Sequence, residues 1–238
     1  MKIEGRNPIT EAFDSGIKIS RIYVSKTAHD LQPLIDKAKS RNIRIDFVDK
    51  PYLDKLSESK RHQGIIAISE EYSYASLEDI LNVAKQKNQP LFVILLDGIE
   101  DPHNLGSIIR VAECAGAHGV VIPSRRSACV NATVLRTSAG AANHLKVAMV
   151  GNINDAIRTL KDNFVNVYCA DMQGTTLYDC HFKEDTAIVI GNEGEGVKSL
   201  TKKLCDNVVS IPQFGKVNSL NASVACGIIC YEVVRQRF

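Results

Sequence analysis

The stretch LFVILLDGIEDPHNLGSIIR, residues 91–110, decides the fold class of this 238-residue chain. It begins with the continuous apolar run Leu91–Leu96, which is typical of a strand buried on both faces of a parallel sheet. A loop rich in acidic residues follows, and then a helix with an apolar stripe. Strand, loop and helix alternate towards the C-terminus, which predicts an α/β fold with a mostly parallel sheet. The later predicted strands are Val120–Pro123, Val165–Asp171, Thr186–Ile190 and Val208–Ile211.

The first third of the chain predicts a second, smaller α/β domain. We place it at residues 1–69, followed by a linker at 70–89 and the larger domain at 90–238. Asn7 can cap a first helix that has Pro8 in its first turn and ends before Gly16. A helix in the linker is predicted over Leu77–Lys87, with Ser76 as its cap. The predicted strands of the small domain are Ile19–Val24, Ile43–Val48 and Gly64–Ser69, and a helical stripe comprises Leu31, Leu34, Ile35 and Ala38.

Composition excludes several classes of protein. No stretch approaches the roughly 18 consecutive apolar residues of a membrane span, so we expect no membrane association. The N-terminus MKIEGRNP lacks the apolar core of a signal peptide, which predicts a cytoplasmic location. The 7 cysteines include no CxxC pair, so reduced thiols are favoured over disulfides or a metal site. Cys226 and Cys230, four residues apart in an apolar run, are predicted on one buried helix face.

Charge is distributed unevenly along the chain. Residues 1–64 contain 13 Lys and Arg against 9 Asp and Glu, whereas residues 90–238 contain 14 of each kind. The basic N-terminal end suggests a polyanionic partner, although a solvated surface with a mild sign bias explains the charge equally well.

The first of three chemically suggestive segments is Asp97–Arg110. Asn104 can cap the helix that follows, and Arg110 lies roughly opposite the apolar stripe of that helix. Arg110 is therefore free to reach a ligand near a helix N-terminus, where anions are favoured. The alternative is an ordinary cap followed by a solvated arginine.

The second segment, Ile190–Gly196, reads IGNEGEG. Its glycines follow the pattern G-x-x-G-x-G rather than the dinucleotide pattern G-x-G-x-x-G, and Glu193 and Glu195 lie inside the loop. Because carboxylates repel a pyrophosphate, a positively charged cofactor without phosphate, such as S-adenosylmethionine, suits this loop better. The alternative is a glycine turn with surface acids.

The third segment, Ser210–Ser223, joins a strand end to the start of a helix. Ser219 and Asn221 lie near that start, and simple capping accounts for both when the segment is considered alone. The following run, Asn221–Val234, is nearly apolar all round, which predicts a helix covered on more than one side. Burial within one domain or a subunit interface would both provide such cover.

Taken in this order, the segments resemble the three motifs of the SPOUT methyltransferases, specifically the TrmH/SpoU family. Asn104-x-Gly106-x-x-x-Arg110 is similar to the first motif and Gly191-Asn192-Glu193-Gly194-x-Gly196 to the second. Ser219-Leu220-Asn221, with Ile211-Pro212 before it, is similar to the third. The opening GRNPITEAF, with His62-Gln63-Gly64 further along, resembles the N-terminal substrate-binding domain of the family. This similarity over nearly the full length points to the ribosomal RNA members of the RlmB type.

The resemblance implies a fold and a reaction. The fold would be an α/β knot, with a deep trefoil knot at the C-terminal end that forms the cofactor pocket, in a homodimer whose active site uses residues from both subunits. The reaction would be methyl transfer from S-adenosylmethionine, without a metal, to a guanosine 2′-hydroxyl in large-subunit (23S-type) ribosomal RNA.

The resemblance also implies roles for individual residues. The implied catalytic residues are Arg110, Asn104, Glu193, Ser219 and Asn221. The implied cofactor-binding residues are Gly191, Ile211 and Leu220.

Three other functions compete with this interpretation. A non-catalytic RNA-binding protein would not bind S-adenosylmethionine, and a nucleotide-dependent oxidoreductase is disfavoured because the G-x-G-x-x-G pattern is missing. A transfer-RNA 2′-O-methyltransferase stays open, because RNA readout depends on loop geometry.

Overall fold

The chain divides into two compact units. The structure is a computed structural model that describes residues 2–14, 17–216 and 219–238. Contacts between residues separate a first unit, Met1–Ser73, from a second unit, Tyr74–Phe238. The segment predicted as a linker contains the helix Leu77–Lys87, which lies in the second unit and buries Ile80 completely in its core.

The first unit is a small mixed sheet with helices. Strands β1, β4, β2 and β3 pair in that order, with β2 and β3 parallel and β4 antiparallel to both β1 and β2. Ile22 and Val24 of β2 and the fully buried Ile9, Phe13 and Leu53 give the unit its own core. Its elements are β1 (Lys2–Glu4), α1 (Arg6–Asp14), β2 (Ile19–Ser25), α2 (Gln32–Ser40), β3 (Arg44–Val48), α3 (Lys50–Leu56) and β4 (Ile65–Ser69).

The second unit is built on a parallel sheet. Its strands lie in the order β10, β8, β9, β5, β6, β7, and each neighbouring pair is parallel. The strands are β5 (Phe92–Asp97), β6 (Gly119–Pro123), β7 (Lys146–Val150), β8 (Asn166–Thr176), β9 (Thr186–Gly191) and β10 (Asn207–Ser210). The helices are α4 (Leu77–Lys87), α5 (Pro102–Cys114), α6 (Ala132–Thr137), α7 (Ile153–Asp162), α8 (Ser199–Leu204) and α9 (Ala222–Arg237). This confirms the predicted α/β class.

Burial of β5 on both faces explains its continuous apolar sequence. Val93 and Leu95 pack in one core cluster with Ile157 and Leu160 of α7. The alternate residues of the strand point to the other face, because side chains of a strand alternate between faces. Every residue of β5 is buried, including its last residue, Asp97.

Several local predictions differ from the structure. Helix α5 begins at Pro102 with Asp101 as its cap, so the prediction that Asn104 caps it is wrong. Proline favours the first helical position, because its fixed φ suits the helix and its missing N–H is not needed there. The prediction that Asn7 caps α1 is also wrong, because α1 begins at Arg6 and contains Asn7; the predicted boundary Gly16 lies outside the described residues. The cap by Ser76 is confirmed: Ser76 Oγ accepts a hydrogen bond from the Asp79 amide, and Asp79 Oδ2 accepts one from the Ser76 amide. Strands β1 and β7 were not predicted.

The loop between α3 and β4 is fixed by one carboxylate. Glu4 Oε2 accepts hydrogen bonds from Ser57 Oγ at 2.7 Å and from the Ser59 amide at 3.2 Å, and Glu4 Oε1 accepts from the Glu58 amide at 2.6 Å. Burial alone would raise the pKa of Glu4. The hydrogen bonds from Ser59, Ser57 and the two backbone amides outweigh burial and lower this pKa from 4.5 to about 2.

We predict that Glu4→Gln destabilises the first unit by about 1–2 kcal/mol at neutral pH, because charged acceptors make stronger hydrogen bonds and water partly screens this one. The pKa of Glu4 is lower in the folded state. Its stabilisation is therefore fully present above about pH 4.5 and is lost as the pH falls through about 2. Urea unfolding, followed by hydrogen exchange of peptides from β1 and β4, measures the difference from the wild type. A difference that stays constant from pH 7 to pH 2 would contradict this role.

Candidate active site

The first and second segments start side by side at one edge of the sheet. Strands β5 and β9 are parallel neighbours, and their last residues, Asp97 and Gly191, are paired in register. The loops that leave the carboxyl ends of these two strands therefore meet. In parallel α/β sheets, this is the edge where ligands bind.

Three side chains join the three segments, and we call Asn104, Glu193 and Asn221 the edge cluster. Asn104 Nδ2 donates a hydrogen bond to Glu193 Oε1 at 2.9 Å. Asn221 Nδ2 donates to Asn104 Oδ1 at 3.0 Å and also to Glu193 Oε1. Asn104 lies in the first turn of α5 and is only 8% exposed, so its amide depends on these partners for hydrogen bonding.

Asn221 has a second role as the cap of α9. Its Oδ1 accepts from the amides of Ser223 at 2.9 Å and Val224 at 3.4 Å, and from Ser223 Oγ at 2.6 Å. The oxygen of this side chain therefore satisfies the helix start, while its nitrogen binds the edge cluster. Capping and site formation, which the sequence offers as alternatives, use different atoms of one residue.

The loop of the second segment is closed by its own hydrogen bonds and held to β5. Asn192 Oδ1 accepts from the amides of Gly194 at 3.0 Å and Glu195 at 2.7 Å. Asp97, 2% exposed, accepts from the Lys198 amide at 3.1 Å and from Lys198 Nζ at 2.8 Å. Asp97 and Lys198 are not among the site residues predicted from the sequence, although a carboxylate that ends a buried strand requires a partner.

Two motif glycines allow close contacts within the protein. A Cβ atom at Gly106 would lie 2.7 Å from Thr137 Cβ, so this glycine lets α5 approach α6 closely. A Cβ atom at Gly191 would overlap the backbone of Gly196 and Val197, so Gly191 lets the two ends of the second loop touch. At both positions the close approach that glycine permits is to backbone or side chain of the same chain.

A cavity of about 450 Å³ lies beside the edge cluster. Its lining comes from the first and second segments and includes four acidic side chains but no lysine or arginine in the part of the chain that the structure describes. We call it the acidic cavity. Such a lining favours a cationic group and disfavours a phosphate. The lining residues are Gly98, Ile99, Glu100, Asp101, Asn104, Asn192, Glu193, Gly194 and Glu195.

The other predicted site residues lie outside this lining. Ile211 follows β10, two strands away from β9, and Leu220 and Ser219 precede α9. Arg110 is exposed on α5 and has no ion pair or hydrogen bond with the residues that the structure describes. It follows Asn104 by six residues, which places the two side chains about 120° apart around the helix and about 9 Å apart along it.

The described residues contain neither a candidate metal cluster nor a candidate membrane-spanning helix. No group of three or more His, Cys, Asp or Glu side chains in residues 2–14, 17–216 and 219–238 could hold a metal ion. Over the same ranges, none of the helices has the length and apolar character needed to span a bilayer.

Two family models together match most of the chain. The SpoU rRNA methylase family matches residues 91–231, and the RNA 2′-O ribose methyltransferase substrate-binding domain matches residues 2–75. The chain belongs to the SpoU rRNA methylase family. The resemblance drawn from the three motifs is thereby confirmed.

Similar proteins and a similar solved structure support this family assignment. An uncharacterized tRNA/rRNA methyltransferase of Synechocystis, slr0955, is 41% identical over 98% of this chain; the chain spans 62% of that protein. YacO of Bacillus subtilis, assigned to the TrmH family of tRNA/rRNA methyltransferases, is 38% identical over 98% of this chain and 94% of that protein. The SpoU methyltransferase AviRb from Streptomyces viridochromogenes, crystallised with the cofactor AdoMet, aligns with a TM-score of 0.71 and 26% identity. That alignment covers 100% of this chain and 90% of AviRb.

We predict that Gly191→Ala weakens S-adenosylmethionine binding at least tenfold. The added methyl group overlaps backbone at Gly196 and Val197, so the second loop must open beside the acidic cavity. Gly151→Ala is the matched control, because a Cβ atom there meets nothing within 4 Å. Calorimetric titration of both folded variants checks the prediction. Equal affinities in the two variants would show that loop closure at Gly191 does not shape the cofactor site.

Proposed function

We propose that this protein transfers a methyl group from S-adenosylmethionine to the ribose 2′-hydroxyl of a guanosine in large-subunit ribosomal RNA. The observation that carries the proposal is the edge cluster, which joins all three family motifs by direct hydrogen bonds. A fold alone does not require a buried asparagine, a glutamate and a helix cap to meet at the carboxyl ends of parallel strands. Such a convergence of polar side chains is expected of a ligand-binding site.

The acidic cavity fits the proposed cofactor. S-adenosylmethionine supplies an activated methyl group on a sulfonium, and it carries positive charge on the sulfonium and amino groups. Glu100, Asp101, Glu193 and Glu195 surround the acidic cavity with compensating charge. A nucleotide cofactor with a pyrophosphate would be repelled by the same side chains, which argues against an oxidoreductase.

We assign roles to the remaining predicted residues on the basis of family membership. The backbone around Gly191, Ile211 and Leu220 holds the adenine, which main-chain donors and acceptors recognise well in an apolar slot. Asn104, Glu193, Ser219 and Asn221 position the cofactor and the ribose. The edge cluster supports this assignment for three of the four, because its hydrogen bonds fix these side chains before a ligand arrives.

Arg110 acts in this proposal as a fixed positive charge rather than as a base. A guanidinium with a pKa above about 12 remains protonated at neutral pH and cannot readily accept the 2′-hydroxyl proton. Its planar fork can instead hold an RNA phosphate and stabilise the developing negative charge on the attacking oxygen. Arg110 is exposed and has no ion pair or hydrogen bond with the described residues, so its side chain is available to bind the substrate.

We also propose a homodimer in which one subunit completes the site of the other. On α5, Arg110 points about 120° away from Asn104, so it does not face the edge cluster of its own chain. On α9, Val224 and Tyr231 are 50% and 53% exposed and, with Ile228, form a stripe along one side of the helix. A second copy packed on this stripe would bury it and could bring Arg110 to the neighbouring site.

The trefoil knot remains part of the proposal. Family membership supports it, as does the convergence of three loops that are far apart in the sequence. Asn104 and Asn221 hydrogen-bond across 117 residues.

The identity of the RNA needs a direct test, because the two relatives described above are named for both tRNA and rRNA. The protein and labelled S-adenosylmethionine are incubated with ribosomal RNA and transfer RNA from cells that lack the gene, and 2′-O-methyl positions are then mapped. We expect the label at one guanosine of the large ribosomal RNA. A label found only in transfer RNA would favour a transfer-RNA 2′-O-methyltransferase, and RNA binding without any S-adenosylmethionine binding would indicate a non-catalytic protein.

We predict that Arg110→Lys and Arg110→Ala both lower the methyl-transfer rate at least 100-fold with unchanged cofactor affinity. Lysine keeps the charge but loses the planar fork, so it cannot make the bidentate phosphate contact. Single-turnover rates with the mapped RNA, measured from pH 6 to pH 10, check this prediction. A lysine variant that retains most activity and accelerates towards alkaline pH would instead identify Arg110 as the base.

A further inference from the structure

A second cavity lies within the first unit and has the opposite electrostatic character to the acidic cavity. Its volume is about 640 Å³, and we call it the basic pocket. Arg6, Lys50 and Lys60 contribute positive charge to its lining. The hydroxyl groups of Ser25 and Thr27 and the amide of Gln63 add neutral hydrogen-bonding groups.

The one carboxylate in the lining is already paired. His62 Nδ1 accepts a hydrogen bond from the Gly64 amide at 3.0 Å, so a neutral His62 carries its proton on Nε2. That nitrogen lies 2.9 Å from Asp54 Oδ1 and donates to it. Asp54 is thus engaged with a buried histidine, and the positive side chains retain a surplus of charge for a ligand.

Hydrogen bonds within the protein hold Arg6 and Gln63 in place, and each side chain keeps a donor nitrogen without a partner among the described residues. Arg6 Nη2 donates to the His29 carbonyl at 2.7 Å, whereas its Nε is buried without a partner among the described residues. Gln63 Oε1 accepts a hydrogen bond from the Arg6 backbone amide at 3.0 Å, so the side-chain nitrogen of Gln63 is available as a donor to a ligand. An unpaired buried donor beside a cavity suggests a ligand that accepts hydrogen bonds.

The backbone next to these side chains adopts an uncommon conformation. Lys60 and Gln63 have φ values of 55° and 50°, in the left-handed region that residues other than glycine seldom occupy. Glu4 holds the same loop through Ser57 and Ser59. Strain of this kind persists where the surrounding structure enforces it, and it is frequent at ligand sites.

We propose that the basic pocket binds one unpaired nucleotide of the RNA substrate, with its phosphate against Lys50 and Lys60. The inference rests on the proposed RNA methylation, and it names the feature of the RNA that the first unit recognises. Cationic and amide donors match phosphate oxygens, and the hydroxyl groups match ribose or base edges. The volume exceeds that of a phosphate alone and accommodates a nucleotide.

Binding of single-stranded and double-stranded RNA tests the proposal. The probe is a fluorescent 12-nucleotide RNA, used alone or annealed to its complement. Duplex has the higher charge density, so a general basic surface would bind duplex at least as tightly. A pocket for an unpaired nucleotide predicts the reverse. We expect the wild type to bind the single strand at least fivefold more tightly than the duplex.

The double variant Lys50→Gln/Lys60→Gln is expected to lose this preference, with the salt dependence of single-strand binding reduced by a slope of about 1. Both lysines are exposed, so the change should leave the fold intact. Lys18→Gln/Lys39→Gln is the matched control, since it removes the same charge from exposed positions outside the pocket lining and should keep the preference. Thr27→Val, which removes a lining hydroxyl without changing charge, should weaken single-strand binding about threefold and leave duplex binding unchanged.

Three outcomes would overturn the proposal: a wild type that prefers duplex, equal losses in the pocket and control variants, or a pocket variant that keeps the preference. The binding assay needs neither cofactor nor methyl transfer. A protein that methylates no RNA yet shows the pocket-dependent preference would therefore refute the proposed function and leave the pocket standing. A protein that methylates RNA but does not prefer single-stranded RNA would support the proposed function and refute the proposal for the basic pocket.

Discussion

The hydrogen bonds among Asn104, Glu193 and Asn221 are the interaction on which the rest of the site depends. Each side chain comes from a different segment, and each segment also has its own internal hydrogen bonds. The parallel sheet brings two of the loops to the same edge, because β5 and β9 end in register. The third segment reaches that edge through Asn221, the cap of α9, whereas its strand β10 lies on the far side of β8.

The two units present opposite charge to their ligands. The acidic cavity of the second unit suits a cationic methyl donor, whereas the basic pocket of the first unit suits the phosphate of an RNA chain. This division agrees with the uneven charge of the sequence, which has its basic surplus in residues 1–64. The proposed RNA methylation needs both kinds of surface in one chain.

The sequence predicts the strands of the second unit well where an apolar run is long or bounded by clear turns. Strands β5 and β9 are examples, because burial on both faces requires continuous apolar sequence. The sequence does not predict β7, which is a short edge strand, or β1, which has three residues. It also places the cap of α5 at Asn104 instead of Asp101, although Pro102 marks the first helical position.

The composition of the site could be predicted from the motifs, but its geometry could not. Asn104 meets Glu193 across 89 residues and Asn221 across 117, and no local pattern encodes such contacts. The ion pair between Asp97 and Lys198 was not predicted for the same reason, because the two residues are 101 positions apart in the sequence. The motif glycines illustrate the limit most clearly. Spacing suggests close approach at Gly191, but only the fold identifies Gly196 and Val197 as the neighbours.

A double-mutant cycle on the edge cluster tests most directly whether the three loops form one site. Asn104→Ala removes one partner, and Asn221→Ser keeps a good helix cap while its shorter side chain cannot reach Asn104. The free energy of S-adenosylmethionine binding is measured by calorimetry for both single variants and the double variant. If the cluster acts as a unit, the double variant is scarcely worse than either single variant, with a coupling energy of about 1 kcal/mol or more. Losses that add to within about 0.3 kcal/mol would show that the loops bind independently and would contradict the account.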